Sequence, residues 1–460
     1  MISDDLDHFS KFPSNNIQET RRHENDGNID QFLSFSEYAP MELLKTLNPL
    51  FSESTVDQAL PKCIDIILYL SMKNNKEISF SSLVRDFMNQ NISNEKRIFS
   101  LTLIKSMIKN TPKEEKLDIP PDFINLLLHY FPHSLCINIC SDLIKRDYLY
   151  FEQFSKSIQC LDENPYQECY ISMNNFFLNL MKQDLYNALI LLQSFLFYKE
   201  NLIFMEPIFE EILSIISSCQ TIEKIECFNV LYTFFECDDI FYPKLISNQD
   251  RLSSLFYNLE KNALLIESSL NFANEVTYSN DKKTKEFIKL TKLDQMIVYI
   301  LPFINDHKVI LFCCKICERL IYSDEEKGIS FLLKKNIISA ITSIKSSFSL
   351  LSFQTYMHMI SKCVIKGSNS QITSLLSMIP LIDFGNYIEY INDDEASLLF
   401  TRIATVILNN YETTGDIFVI DEDTYNELSF IAEQENDEIN PVTDFLKSIY
   451  PILEQNGIQP

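Results

Sequence analysis

Cys227-Phe-Asn-Val-Leu-Tyr-Thr-Phe-Phe235, Ser269-Leu-Asn-Phe-Ala-Asn-Glu-Val-Thr277, Cys313-Cys-Lys-Ile-Cys-Glu-Arg-Leu-Ile321 and Tyr356-Met-His-Met-Ile-Ser-Lys-Cys-Val364 share one apolar outline. The first residues stand at 227, 269, 313 and 356, so the outline returns every 42 to 44 residues. A period of that length is the mark of stacked helical repeats. Between these segments runs a second recurring stretch: Arg251-Leu-Ser-Ser-Leu-Phe-Tyr-Asn-Leu259, Lys292-Leu-Asp-Gln-Met-Ile-Val-Tyr-Ile300 and Asn336-Ile-Ile-Ser-Ala-Ile-Thr-Ser-Ile344. Polar turns such as Ser279-Asn-Asp281 and Ser323-Asp-Glu-Glu326 separate the units.

Outward from the repeat, the helical pattern continues. Val56, Leu60, Cys63, Ile64, Ile67 and Leu68 lie on one face of a 3.6-residue helix within Thr55–Leu70. A further helix is expected from Ser93 to Ile108. Breakers at Asn110-Thr-Pro112, Ile119-Pro-Pro121, Asn164-Pro165 and Tyr242-Pro243 mark helix starts and boundaries. Only 6 of 460 residues are Gly, and none falls between Gly27 and Gly328. Tight hairpins and phosphate loops need the positive φ that Gly supplies, so its scarcity points away from sheets. Asn can take left-handed positions at helix ends in its place. The expectation is an all-α chain.

A long helix, a polar turn, a short apolar segment and another helix at this period resemble armadillo or HEAT repeats. The resemblance is clearest over 225–391 and fainter over 55–225, where the spacing falls to 35–40 residues. It implies a right-handed superhelical solenoid, an armadillo-like fold, of about eight to ten units. Three segments are expected: residues 1–38, acidic and largely disordered; 39–410, the repeat array; and 411–460, an acidic turn followed by a capping helix from Pro441 to Leu453.

The net charge is −25. Residues 411–460 carry 12 acidic and 1 basic side chains, and residues 1–38 carry 8 and 3. Such a surface repels phosphate backbones and anionic lipid and attracts basic segments. Neither nucleic-acid binding nor membrane insertion is expected. The opening Met1-Ile-Ser-Asp-Asp-Leu-Asp-His-Phe9 has no apolar core, so it does not read as a secretory signal. The longest apolar run, Ala188–Phe197, is too short to span a bilayer. The 12 cysteines are therefore expected to be reduced, in a cytoplasmic or nuclear protein.

Four clusters hold residues of chemical interest. His129, His133, Cys136 and Cys140 are zinc-ligand types, but all lie within one short, Pro-interrupted stretch that cannot easily wrap an ion tetrahedrally. The alternative is that His129 ends one helix while Cys136 and Cys140 pack in the next. Cys314-Lys-Ile-Cys317 has redox spacing but falls inside a repeat helix, where core thiols are expected. Lys285, Lys289 and Lys292 are expected on one helix face, open to an acidic peptide or phosphate yet better read as a solvated surface. Asp421-Glu-Asp-Thr-Tyr-Asn-Glu427 lacks the Gly and spacing of a calcium loop, and Asp423 as a helix N-cap explains it better. Asn91-Ile-Ser93 matches a glycosylation sequon by chance. The sequence contains no G-x-G-x-x-G, P-loop, G-x-S-x-G or H-E-x-x-H.

These observations predict a non-enzymatic scaffold or adaptor without cofactor or metal, binding other proteins on a solenoid groove. Basic peptides are the favoured partner. Alignment of the four outlines gives the partner-facing set Asn229, Asn271, Glu275, Lys315, Glu318, Arg319 and Lys362. Two alternatives are a structural or regulatory subunit of a larger assembly, and an importin-like nuclear-transport cargo receptor. The latter group uses inner ladders of Trp and Asn; this chain has no Trp, and Asn does not recur in all four units.

Overall fold

The structure is a computed structural model. It describes residues 94–455 apart from 113–116, 118, 121, 162–168, 199–204, 238, 257–258, 260, 280–283, 304–305, 324, 416–419 and 435–439, and in addition Val84 and Phe87. The expectations for residues 1–38, the Thr55–Leu70 helix and the Asn91 sequon lie outside the described residues. All regular structure among the described residues is helical. The chain divides into two compact units, 1–146 and 147–460.

In the first unit, α1 (Asn94–Asn110) and α2 (Asp122–His129) pack on α3 (Ser134–Arg146). The Arg146 guanidinium donates to the carbonyls of Ile108 (3.2 Å) and Thr111 (3.0 Å) and to that of Pro112. A cation thus satisfies acceptors that the end of α1 would otherwise leave open. His129 closes α2, and Cys136 and Cys140 are buried in α3, so the cluster is divided between two helices.

The second unit begins with α4 (Tyr148–Leu161), α5 (Cys169–Gln183), α6 (Leu185–Leu196) and α7 (Glu206–Ile215). A recurring pattern follows. Four helices of 17 residues each, α8 (Thr221–Cys237), α11 (Ala263–Ser279), α14 (His307–Ser323) and α17 (Leu350–Lys366), contain the four quoted outlines. α20 (Asp393–Thr414) extends the series. Each long helix packs on the next, from α6 through α20. Between them lie pairs of short helices: α9 (Tyr242–Ser247) with α10 (Gln249–Leu255), α12 (Thr284–Thr291) with α13 (Leu293–Ile300), α15 (Glu325–Lys334) with α16 (Ile337–Ser343), and α18 (Asn369–Leu376) with α19 (Leu381–Tyr387). α21 (Glu422–Gln434) and α22 (Pro441–Gln455) follow; α22 packs on α20, and the 410/411 charge boundary falls inside α20.

The corner inside each short pair fixes the repeat's phase. Asn248, Lys292, Asn336 and Pro380 each stand directly before the second short helix. Successive corners are 44 positions apart. Lys292 (φ 55°) and Asn336 (φ 58°) are left-handed, which breaks the helix at these two corners. This corrects one expectation: Lys292 does not share a helix face with Lys285 and Lys289, because α12 ends at Thr291. Polar ties beside the corners span neighbouring units. Glu210 accepts from Asn248 Nδ2 (3.1 Å), Lys335 pairs with buried Asp294 (2.8 Å), and Lys345 pairs with buried Asp383 (2.5 Å).

Local sequence sets the helix starts. Asp184, Ser349 and Asn392 cap α6, α17 and α20 through their side chains, and Ser368 with Gln371 forms a capping box on α18. Asp421, not Asp423, caps α21: its Oδ1 accepts from Thr424 N at 2.8 Å. The acidic residues of the first turn, Glu422 and Asp423, then favour the positive end of the helix. Gly328 is required by packing, since a Cβ there would collide with the Leu320 carbonyl where α15 crosses α14.

The core is continuous through these levels. Phe272, fully buried on α11, has its ring centroid 5.9 Å from Phe228 and 5.7 Å from Phe235 on α8, and 6.4 Å from Phe287 on α12. Toward α14 and α17 the filling changes to Cys313, Cys314, Cys317, Met357, Met359 and Cys363, all buried. Small and adaptable sulfur side chains fill the space between helices that aromatics fill earlier.

Candidate functional site

Within each repeated outline the third, sixth and seventh residues, and the residue just after the outline, fall at i, i+3, i+4 and i+7. They lie on one helix stripe. On α8 these are Asn229, Tyr232, Thr233 and Glu236; on α11, Asn271, Asn274, Glu275 and Tyr278; on α14, Lys315, Glu318, Arg319 and Tyr322; on α17, His358, Ser361, Lys362 and Ile365. The residues between them supply the buried core, while this stripe, apart from Ser361, is half-buried or exposed. The long helices pack successively, and the stripes of α11, α14 and α17 meet in a shared face of the second unit.

The face carries linked polar contacts. Arg319 lays its guanidinium over the Tyr278 ring at 4.4 Å, and Lys366 sits 4.8 Å from the Tyr322 ring while pairing with Glu325 (2.8 Å). Each contact joins a tyrosine to a cation from the next long helix, where ring and charge attract. Lys362 pairs with Glu395 of α20 at 2.8 Å, and His358 Nδ1 lies 3.1 Å from the Tyr387 hydroxyl of α19. Lys308 of α14 pairs with Glu267 of α11 at 2.7 Å.

Glu318 is the electrostatic centre. Burial pushes its carboxyl up to about 7, against the opposing pull of Arg319, Lys362 and Lys315. Desolvation therefore outweighs three nearby cations, none of which forms an ion pair with it. Burial also lowers the His358 pKa, helped by Lys362 and opposed by Glu395. Lys315, Glu318, Arg319 and Lys362 are brought together. Asn229 is apart on α8, donating to Glu226 (3.2 Å), whose carboxylate also accepts from Gln193 of α6 (2.7 Å). Asn271 and Glu275 are half-buried on α11. Among the four clustered residues only Lys315 is exposed.

His358, Tyr278, Tyr322, Tyr387 and Glu395 belong to the same face, and sequence reasoning left them out. The signal for His358 was present: it holds the repeat position of Asn229, Asn271 and Lys315. Tyr278 and Tyr322 are likewise equivalent, 44 positions apart. Tyr387 and Glu395 come from helices beyond the quoted outlines, and nothing local marks them.

The cysteines of the core are held as thiols. Burial pushes Cys136 and Cys313 up to about 12, and Cys140, Cys314, Cys317 and Cys363 are raised as well. A neutral buried thiol is a packing group rather than a nucleophile. Among the described residues no three His, Cys, Asp or Glu side chains are grouped to hold a metal ion, and no helix is long and apolar enough to cross a membrane.

No family model matches the chain, and no curated protein matches it. Among solved structures, a crystal structure described as an engineered protein from a structural genomics consortium is similar, with a TM-score of 0.53 at 9% identity. The match covers 82% of this chain and 98% of that one. At that identity the likeness concerns the fold: a chain of packed, recurring helices.

Proposed function

We propose that the chain is a non-enzymatic scaffold that holds other proteins against the face of its long helices, in an armadillo/HEAT-like right-handed superhelix. The observation that carries this reading is the recurring outward stripe on α8, α11, α14 and α17. It presents Asn, Glu, Lys and Tyr side chains in register over four successive units. A surface that changes composition in steps suits an extended partner that is read unit by unit. Glu236 and Glu275 on the α8–α11 side favour basic residues, in keeping with a net charge of −25 that steers such partners in. Lys315 offers an open cation to a partner carboxylate. A cytoplasmic or nuclear setting, with reduced cysteines, fits this role.

Affinity purification of the parent and of Lys315→Glu, followed by binding assays with the purified clients, tests the reading. Clients weakened by the substitution, with helicity unchanged by circular dichroism, support it. A client set and affinities indifferent to Lys315→Glu overturn the choice of face. A constant stoichiometric set of partners would instead make the chain a fixed subunit of a larger assembly.

A further inference from the structure

A second surface, away from the long-helix stripe, is a groove of about 710 Å³ between α19 and α21. Its floor is apolar: Ile382 and Gly385 from α19, Ile431 from α21. Gly385 lets the two helices come close beneath the groove, since a Cβ there would come within 2.9 Å of the Ile431 and Leu428 side-chain ends. The two rims match in chemistry. One carries Asn386, Glu389 and Tyr390, the other Asn426, Glu427 and Phe430. All six are exposed, Phe430 at 61% and Tyr390 at 41%. The side chains of Asn386, Glu389, Asn426 and Glu427 make no hydrogen bond or ion pair among the described residues.

An exposed Phe beside an apolar floor leaves apolar surface in water that a partner could cover. The charge around it says what kind of partner. The groove's lining carries the carboxylates Glu389 and Glu427 and no cation; residues 381–460 contain only two basic side chains in sequence. Both basic groups are engaged elsewhere: Arg402 donates to the Gly367 carbonyl, and Lys447 lies 3.7 Å from Asp444. Neither lines the groove. An acidic segment would meet repulsion here. A Lys or Arg side chain would meet a carboxylate and an aromatic ring on each rim, and both attract a cation. The volume exceeds one side chain, so the floor also takes an aliphatic neighbour.

We infer that the α19–α21 groove is a docking site for a basic, amphipathic protein segment, whose aliphatic side chain lies against Ile382 and Ile431 while flanking Arg or Lys residues lie against Glu389, Glu427, Tyr390 and Phe430. This rests on the scaffold reading only in requiring a protein partner; the surface is different, and so are the residues that test it.

The probe is a short fluorescent peptide of alternating Arg and Leu, titrated by anisotropy into the full chain at physiological salt, with the same peptide bearing Glu for Arg as control. Saturable binding of the Arg peptide alone is expected. The exposed-residue variants Glu389→Gln/Glu427→Gln and Phe430→Ala should each weaken it by about tenfold or more, the range of a lost anchor residue, while Lys315→Glu leaves it unchanged. Absence of saturable binding overturns the inference. So does binding that ignores both groove variants, which would make it a diffuse effect of net charge. A concentration-dependent dimer in sedimentation that Glu389→Gln/Glu427→Gln abolishes would assign the groove to a second copy of the chain and overturn it too. In all these cases the clients sensitive to Lys315→Glu are unaffected, so failure here is distinct from failure of the long-helix face.

Discussion

Replacement of Glu318 by Gln should make stability less dependent on pH. In the folded chain burial holds the Glu318 carboxyl near 7, against an ordinary value of 4.5. Between those values the folded state binds more protons than the unfolded state. Stability from this group is therefore greatest below pH about 4.5 and is lost as pH rises through about 7. Taking the two pKa values through the linkage relation, about 2 kcal/mol of stability disappears between roughly pH 5.5 and pH 8.5. Glutamine keeps the size and polarity and has no proton to lose. The parent and Glu318→Gln should therefore be compared by urea unfolding at both pH values, with amide exchange in α14 and α17 as a local readout. The stability difference should move in favour of the variant by about 2 kcal/mol on going to the higher pH, a shift that linkage assigns to this one carboxyl. A difference that is equal at the two pH values would refute the reasoning, because it would mean that Arg319, Lys362 and Lys315 neutralise the cost of burial. Lys315→Glu provides a further check: removing one of the three cations should raise the Glu318 pKa further and steepen the loss.

Two other outcomes follow from the packing. Phe272→Ala removes a fully buried ring that touches aromatics of α8 and α12; the cost should be about 3–5 kcal/mol, with faster amide exchange in α8, α11 and α12 and little change in α20. Lys292→Gly relieves a left-handed non-glycine residue (φ 55°) and should stabilise by up to about 1 kcal/mol, because the lost strain slightly exceeds the added freedom of the unfolded chain; a fall in urea midpoint would contradict this.

The helices of the second unit were legible because their signal is repeated. A single stretch such as Cys313–Ile321 is ambiguous, but four copies with apolar residues at the same places fix both the helix and its outward stripe. The corners were less visible. Asn336 is a residue that tolerates left-handed backbone, whereas Lys292 is not, and an apolar pattern that runs on through Thr291 and Leu293 gave no reason to stop a helix there. The recurring stretch that opens on both Lys292 and Asn336 carried the signal of a new helix start, and the run Lys285, Lys289, Lys292 at helical spacing masked it. At the N-terminus of α21 three acidic residues compete to cap, and only geometry chooses Asp421 over Asp423. The site divides in the same way. Lys315, Glu318, Arg319 and Lys362 share a repeat register and could be placed together, while Glu395 and Tyr387 reach the same face from helices with no copy of the outline. Burial of Glu318 also left no mark in the sequence, since a Glu beside an Arg and near two Lys reads as a solvated charge.

The 44-residue corners carry a consequence for how damage spreads. Their polar ties run from one level to the adjacent one, as Lys335 to Asp294 and Lys345 to Asp383. A lesion at one corner therefore withdraws support from its immediate neighbours and leaves distant levels with their own fastenings. Injury to this protein should be graded by where it falls, with one stretch fraying while others keep their grip, rather than by a threshold at which the whole gives way.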